Sequence, residues 1–465
     1  MFIGRKNELC TLDKLYNSLK FEFAVIYGRR RVGKTALISE FTKDKDTIFF
    51  TCVETNAKQN LDNFSRCIME YKTGITTETS FLSFQSALEY VFELAKTKRI
   101  VLVIDEYPYV ARASKSLAST LQLLIDKNKD NSKLFLILCG SSMSYMEDHV
   151  LAYKAPLYGR RTAQFKINPF EFFEACNYFK NLSDEDKAVA YGIVGGTPQY
   201  LMQINDKLSI EENIKNTHLN PSSAIFDEPN NLLKQEVREP AIYNAVITAI
   251  ATGCSKMNEI SNKIDEETSV CATYIKNLIT LGIVKKELPY GEKSSRKTIY
   301  SIEDNMFRFW YRFVPQNTSI ISRGATDLAY SRIAPEINAY MGGVFEEICK
   351  QYLWKLLISG KCPVNFSNLG RFWGTNPKTK TQEEIDIMGT DKEFALFGEC
   401  KWTNEKVDLS VLLKLEERSS IFSYKKNYLY LFAKTGFTKG CIDRATEMGN
   451  VMLIRYCDIL DYKNI

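Results

Sequence analysis

Residues 22–35 read EFAVIYGRRRVGKT, and this stretch decides the fold of the first part of the chain. A short apolar run ends in Gly28, and a helical pattern starts at Lys34 and continues through Phe41. The expected order is strand, loop, helix. From Gly28 to Thr35 the loop satisfies the spacing GxxxxGKS/T. Glycines at the two ends let successive backbone N–H groups curl round an anion, and the helix N-terminus adds the positive end of its dipole. Lys34 then reaches the β- and γ-phosphates and Thr35 offers a hydroxyl to Mg²⁺. A nucleotide phosphate is the ligand this pattern implies.

Outward from the loop, two further buried-strand runs are expected at 100–104 (IVLVI) and 134–138 (LFLIL). Each follows a helix-like stretch, at 83–96 and 116–127. Apolar runs alternating with helices point to a parallel sheet covered on both faces, so the first domain is α/β. The second run continues as VLVIDE, four apolar residues and two acids, about 70 residues after the loop. This Walker B arrangement places Asp105 at the carboxyl edge of the sheet to hold the Mg²⁺ hydration shell. Glu106 is then placed to polarise an attacking water. The third run ends in Cys139-Gly140-Ser141-Ser142, which puts Ser141 where a γ-phosphate sensor is expected. Arg160 and Arg161 close the segment PLYGRR; an arginine finger for a neighbouring copy in a homo-oligomer is one use and a solvated pair is another. The candidate nucleotide-binding set is Gly28, Arg31, Val32, Gly33, Lys34, Thr35, Ala36, Asp105, Ser141 and Arg160, with ATP and Mg²⁺ as ligands and Thr35 and Asp105 on the metal. Arg29, Arg30 and Arg31 could contact phosphate, fold onto acids or stay solvated.

The chain of 465 residues is about three times a typical domain, so two to four domains are expected. With 45% hydrophobic and 25% charged residues it falls in the globular range, which excludes a disordered or low-complexity chain. Lys and Arg number 61 against 56 acids, and a net charge of +5 is too small to announce nucleic-acid binding by itself. The 12 cysteines contain no CxxC pair and only His149 and His218 are present, so a zinc site, a disulfide framework and a histidine-rich metal centre are not expected. Both histidines read as structural or surface residues. The sequence starts MFIGRKNEL without a signal-peptide apolar region, and no run approaches the roughly 18 apolar residues of a membrane span. A soluble, cytoplasmic, reduced protein with no membrane partner is the expectation.

Four domains are expected: an ATPase core at 1–168, a helical lid at 169–235, a winged helix at 236–305 and a last α/β domain at 306–465. The lid is rich in aromatics (PFEFFEACNYF) and broken at GGTP, 195–198. The winged helix rests on three helical patterns at 241–251, 257–264 and 269–281, then strands at 284–288 and 297–301 joined by a turn at 290–295. Its recognition segment carries Lys276 alone and follows Asp265, Glu266 and Glu267, which repel phosphate. Lys285, Lys286, Lys293, Arg296 and Lys297 in the wing suit backbone contact rather than sequence readout. A protein-binding winged helix stands as an equal reading.

Six motifs in order carry a resemblance: Phe2-Ile3-Gly4-Arg5, GRRRVGKT, VLVIDE, CGSS, PLYGRR and GGTPQYL. Together they resemble the archaeal-type ATPase family of the AAA+-like STAND class of P-loop NTPases, over roughly residues 1–225. The resemblance implies ATP binding with slow, switch-like hydrolysis. Lys6 departs from it, standing where an acid is common.

In the last domain Asp386 opens a predicted strand, a turn follows at 389–392, and the next strand, 393–401, ends Gly398-Glu399-Cys400-Lys401. Asp386 and Glu399 then lie at adjacent strand positions, with Lys401 on the same face as Glu399. Two such carboxylates can share a divalent metal that stabilises displacement at phosphorus, while a lysine positions or deprotonates the water. Glu346, on an upstream helix, could supply a third carboxylate. With a helix at 408–420 and a strand at 428–432, these residues resemble the PD-(D/E)XK, or restriction-endonuclease-like, nuclease fold over roughly 336–455. That resemblance implies metal-dependent cleavage of nucleic acid by Glu346, Asp386, Glu399 and Lys401, with Asp386 and Glu399 on the metal. The fold class expected overall is α/β multidomain: a P-loop parallel sheet with helical lid, a winged helix and a restriction-endonuclease-like domain. Three functions remain open: an ATP-driven switch coupled to a nuclease acting on nucleic acid, most readily DNA; a nucleotide-dependent regulatory or docking protein with an inactive nuclease-like module; and a DNA-binding regulator using the basic wing.

Overall fold

The first buried strand sits next to the third buried run rather than the second, and this order sets the site. In the computed structural model, which describes residues 2–76, 78–293, 296–377 and 379–461, the chain divides into two compact units. One is Met1–Phe170 with Thr197–Gln199, and the other is Glu171–Gly196 with Tyr200–Ile465.

The first unit holds a five-stranded sheet of β1 (Glu22–Tyr27), β2 (Thr47–Thr51), β3 (Ile100–Asp105), β4 (Leu134–Gly140) and β5 (Ala163–Lys166). All neighbours are parallel and the order is β2-β3-β4-β1-β5. Every residue of β1, β3 and β4 is buried, as continuous apolar runs require. Alternate residues feed two cores. Val25, Leu102 and Leu136 pack with Phe64, Val91 and Leu121 on one face, and Ala24, Ile26, Val103 and Ile137 pack with Leu12, Leu37 and Phe41 on the other. The chain leaves β1 for the far edge at β2, returns through β3 to β4, and then steps over β1 to β5. The carboxyl ends of β1 and β4 therefore flank a topological switch point, where open α/β sheets bind ligands.

The second unit opens with the short helix Phe172–Ala175 and includes the helices Asp184–Val194, Ile210–Thr217 and Glu228–Glu236. Three helices follow, Pro240–Ala251, Met257–Ile264 and Thr268–Thr280, and then an antiparallel pair, β6 (Val284–Glu287) and β7 (Ile299–Ile302). That is the element order expected at 236–305; residues 294 and 295 of the expected turn lie outside the described residues. A mixed sheet closes the unit: β8 (Gly370–Thr375), β9 (Gln382–Thr390), β10 (Phe394–Lys401), β11 (Lys426–Ala433) and β12 (Val451–Arg455), in the order β12-β11-β10-β9-β8. β10, β11 and β12 run parallel, while β8 and β9 are antiparallel to their neighbours. Asp386 lies inside β9 rather than at its start, because the exposed and half-buried Gln382–Glu384 segment continues the pairing with β8. Among the described residues no helix is long and apolar enough to cross a membrane.

His218 caps the helix Ile210–Thr217 and is fully buried against the Phe309 ring, 4.8 Å between centroids. Its Nδ1 lies 3.0 Å from Thr217 Oγ1, and its Nε2 has no hydrogen-bond partner among the described residues. Burial pushes the imidazole down from 6.5 to about 3. Below 6.5 the unfolded chain takes up a proton that the folded chain refuses, so stability is full above 6.5 and is lost as pH falls toward 3. His218→Leu, which leaves Thr217 Oγ1 bonded to the Asn213 carbonyl, should flatten the acid side of a denaturation-midpoint profile. The removed slope is roughly tenfold in the folding constant per pH unit; an unchanged profile would contradict this assignment.

Candidate functional site

Gly28 carries β1 out of the sheet past the Ile167 carbonyl oxygen, with which a Cβ at that position would clash. The loop then turns through two left-handed residues, Arg31 at φ 73° and Gly33 at φ 89°. This conformation turns successive N–H groups toward one concavity. The helix Lys34–Thr42 starts without a side-chain cap, so its positive dipole end faces the loop. Lys34 is buried, and its Nζ donates to the carbonyls of Gly28 (2.9 Å) and Arg29 (3.1 Å). The ammonium is thus folded against the loop it serves.

Thr35 Oγ1 donates to Asp105 Oδ2 at 2.9 Å, joining the loop helix to the end of β3. Asp105 Oδ1 accepts the Glu106 N–H at 2.9 Å, and Glu106 itself takes a left-handed φ of 52°. A non-glycine residue in that region costs of order 1 kcal/mol or more and is held by its surroundings. Here the end of β4 holds it: Ser141 Oγ donates to Glu106 Oε1 at 2.6 Å and Ser141 N to Oε2 at 3.3 Å. The structure therefore brings Gly28, Arg31, Gly33, Lys34, Thr35, Asp105, Glu106 and Ser141 to one edge of the sheet. A hydroxyl and a buried carboxylate in contact suit a hydrated Mg²⁺, and a lysine beside uncapped N–H groups suits phosphate. Ala36 lies exposed in the first turn of the same helix.

Other arginines have structural partners. Val32 is a core side chain, so its share in the loop is backbone only, and its carbonyl accepts from Arg5 Nη2 at 3.2 Å. Arg5 also donates to the Asn168 carbonyl and lies 4.3 Å over the Phe170 ring, a brace beneath the loop that the FIGR opening signalled only by resemblance. Arg29 donates to Thr197 Oγ1 at 3.0 Å and Arg30 to Tyr109 Oη at 2.9 Å. Arg160 is bound bidentately to Asp126, at 2.9 and 2.6 Å, and to the carbonyls of Pro156 and Tyr158. Its partners are not the loop residues with which the sequence grouped it. Arg161 lies over the Tyr158 ring at 5.5 Å.

The second candidate site lies on the mixed sheet. Gly398 pairs with Ile387, so Glu399 stands across from Asp386, and Asp386 Oδ2 accepts the Cys400 N–H at 2.8 Å. Lys401 Nζ donates to Glu399 Oε1 at 2.6 Å. Burial, then the charges of Glu399 and Glu346, push Asp386 up to about 7. Two basic residues that the sequence reading did not single out complete the cluster. Arg418 joins Glu399 (3.2 Å) and Glu383 (3.0 Å), and Arg371 joins Glu346 (3.7 Å) and Glu384. Among the described residues no three His, Cys, Asp or Glu side chains stand ready to hold a metal. Asp386 and Glu399 fit a magnesium-like ion as a pair, which such an ion accepts when water or phosphate fills the remaining positions. Glu346 pairs with Arg371 at 3.7 Å and stands near enough for its charge to act on Asp386.

The wing is also partly occupied. Lys285 Nζ lies 2.9 Å from Glu347 and 3.4 Å from Glu287, so in this structure its charge is answered by two acids. Tyr290 N donates to the Arg371 carbonyl at 2.8 Å, and Trp373 Nε1 donates to the Lys297 carbonyl at 3.1 Å. These bonds fasten the hairpin to β8.

Residues 2–204 match the family described as an ATPase domain predominantly from Archaea, and residues 310–416 match archaeal and bacterial proteins of unknown function. An uncharacterized protein of Methanocaldococcus jannaschii is 34% identical over 410 residues, spanning 87% of this chain and 88% of that one. An uncharacterized ATP-binding protein of the same organism is 49% identical over 45 residues, 10% of this chain and 76% of that one. Among solved structures, a Walker-type ATPase of Pyrococcus abyssi superposes with a TM-score of 0.50 at 18% identity, covering 67% of this chain and 96% of that one. That last likeness is one of fold. Lys34→Ala should weaken binding of a fluorescent ATP analogue by about tenfold or more, since a charged hydrogen-bond donor to phosphate is lost. Retained tight binding would remove the loop from the nucleotide site.

Proposed function

The chain belongs to one family with the Methanocaldococcus jannaschii protein and carries the archaeal ATPase domain, and on that footing we propose that it is an ATP-binding and slowly hydrolysing switch coupled to a metal-dependent nuclease-like domain acting on nucleic acid. The Thr35–Asp105 contact carries the first half of this reading, because it sets a hydroxyl and a carboxylate together beside the phosphate loop. Mg²⁺ held there supplies charge to the phosphates. Lys34 exchanges the Gly28 and Arg29 carbonyls for phosphate oxygens. Glu106 orients and polarises the attacking water, and Ser141 presents its hydroxyl to the terminal phosphate. Slow turnover is consistent with a Glu106 carboxylate that Ser141 holds through two hydrogen bonds.

For the second half, Asp386 and Glu399 face one another across β9 and β10, with Lys401 on the face of Glu399. A divalent ion on the two carboxylates would supply Lewis acidity at a phosphodiester; Lys401, kept an ammonium by the Glu399 charge despite its burial, would position the water by hydrogen bonding while the water's proton leaves to solvent. The ion pairs that Arg418 and Lys401 make with Glu399 favour a second reading, in which the module docks to nucleic acid or protein without cutting.

Glu106→Gln should retain ATP binding and lose turnover on the order of a hundredfold or more in a phosphate-release assay, the usual contribution of a positioned base; unchanged turnover would dismiss Glu106. Linear, supercoiled and single-stranded DNA should be cut in Mg²⁺ or Mn²⁺ by the wild type and left intact by Asp386→Ala. Absence of cleavage under all conditions, with and without ATP, while ATP still binds would favour the docking reading.

A further inference from the structure

We propose that Arg418 is the phosphate-binding residue of the acid-cluster site, held in reserve by Glu399 until a divalent cation takes that carboxylate. The inference rests on the nuclease-like reading and adds a residue which that reading does not contain. Arg418 occupies the last turn of the helix Leu409–Ser419, which follows β10 in the chain. Its Nη1 lies 3.2 Å from Glu399 Oε2 and its Nε 3.0 Å from Glu383 Oε2. The guanidinium is not sealed in, since 18% of the side chain remains accessible.

Glu399 already serves Lys401 through its other oxygen, at 2.6 Å. A dication shared by Asp386 and Glu399 needs the lone pairs that Arg418 now uses. At such a distance it also repels the guanidinium, because like charges a few ångströms apart in a partly buried site interact strongly. Arg418 must then give up Glu399. Glu383 lies on β9 outside the Asp386–Glu399 pair and keeps its bond to Nε, so the guanidinium stays at the rim of the site with its Nη edge released. A planar fork of donors is the geometry that takes two oxygens of one phosphate. The phosphodiester drawn to the cation supplies that acceptor. The cation replaces the guanidinium as the partner of Glu399, and the phosphate replaces Glu399 as the partner of the guanidinium.

The exchange couples the two ligands, and coupling of this kind is reciprocal. Removal of Arg418 therefore acts with opposite signs on cation and on nucleic acid, an effect that loss of a merely structural ion pair does not give. The test uses the full chain with Ca²⁺ as the cation and a short labelled DNA duplex. Cation binding is read by calorimetry as the part lost in Asp386→Ala, and duplex binding by anisotropy.

The wild type should bind the duplex more tightly once Ca²⁺ is added. Arg418→Ala should bind Ca²⁺ more tightly without DNA, lose about tenfold in duplex affinity with Ca²⁺, and show a salt slope smaller by about one. Arg418→Lys should recover part of the duplex affinity, since it restores the charge without the fork. Lys425→Ala removes a positive charge from an exposed pair with Glu393 and should leave both readouts unchanged. Arg418→Ala with wild-type duplex affinity in Ca²⁺, or with cation and duplex binding weakened together, would overturn the assignment and leave the nuclease-like reading standing. A wild type that binds neither Ca²⁺ at Asp386 nor the duplex would overturn that reading and the assignment with it.

Discussion

Burial on both faces leaves β1, β3 and β4 no place for a polar side chain along their length, so the polar groups of the first unit are displaced to the strand ends. Gly28 follows β1, Asp105 ends β3 with Glu106 directly after it, and Ser141 follows β4. Parallel direction brings all of these to one edge. The position of β4 between β1 and β3 then decides which groups meet: Ser141 reaches Glu106, while Thr35 on the helix after β1 reaches Asp105. The left-handed conformations of Arg31, Gly33 and Glu106 cluster at that edge, where the chain must turn sharply off buried strands.

The mixed sheet obeys the same constraint with a different outcome. β10 is buried from Ala395 to Cys400 and admits Glu399 only near its end, where Asp386 on the antiparallel neighbour faces it. In the first unit the buried carboxylate is satisfied by neutral donors, a hydroxyl and a backbone N–H. In the second, Glu399 and Glu346 are answered by arginine and lysine. Partly buried ion pairs contribute little net stability once desolvation is counted.

What the sequence disclosed follows from the range of the interactions. β1, β3, β4 and the phosphate loop were legible because a buried strand and a glycine-spaced loop are written in consecutive residues. β2, reading TIFFT, was not, since an edge strand buries only Ile48 and Phe50; β8 and β12 carry at most one fully buried residue each and were missed for the same reason. The three helices and hairpin at 236–305 were legible from their periodicity and turn residues. Partners far apart in the chain were not: Arg160 with Asp126, Lys285 with Glu347, and Arg418 with Glu383 and Glu399 are 34, 62, 35 and 19 residues apart. Composition gives no signal for which acid an arginine meets. The placement of Arg29 on Thr197 shows why the GGTPQYL motif stands out in the sequence, since Thr197–Gln199 folds with the first unit while its flanks fold with the second.

The central claim is that the edge built by β1, β3 and β4 is a nucleotide site, and a crystal structure with Mg²⁺ and a non-hydrolysable ATP analogue tests it most directly. The account predicts phosphate oxygens on Lys34 Nζ in place of the Gly28 and Arg29 carbonyls, with Mg²⁺ on Thr35 Oγ1 and its hydration shell on Asp105. Nucleotide bound away from this loop, or a loop left unchanged at saturating nucleotide, would contradict it.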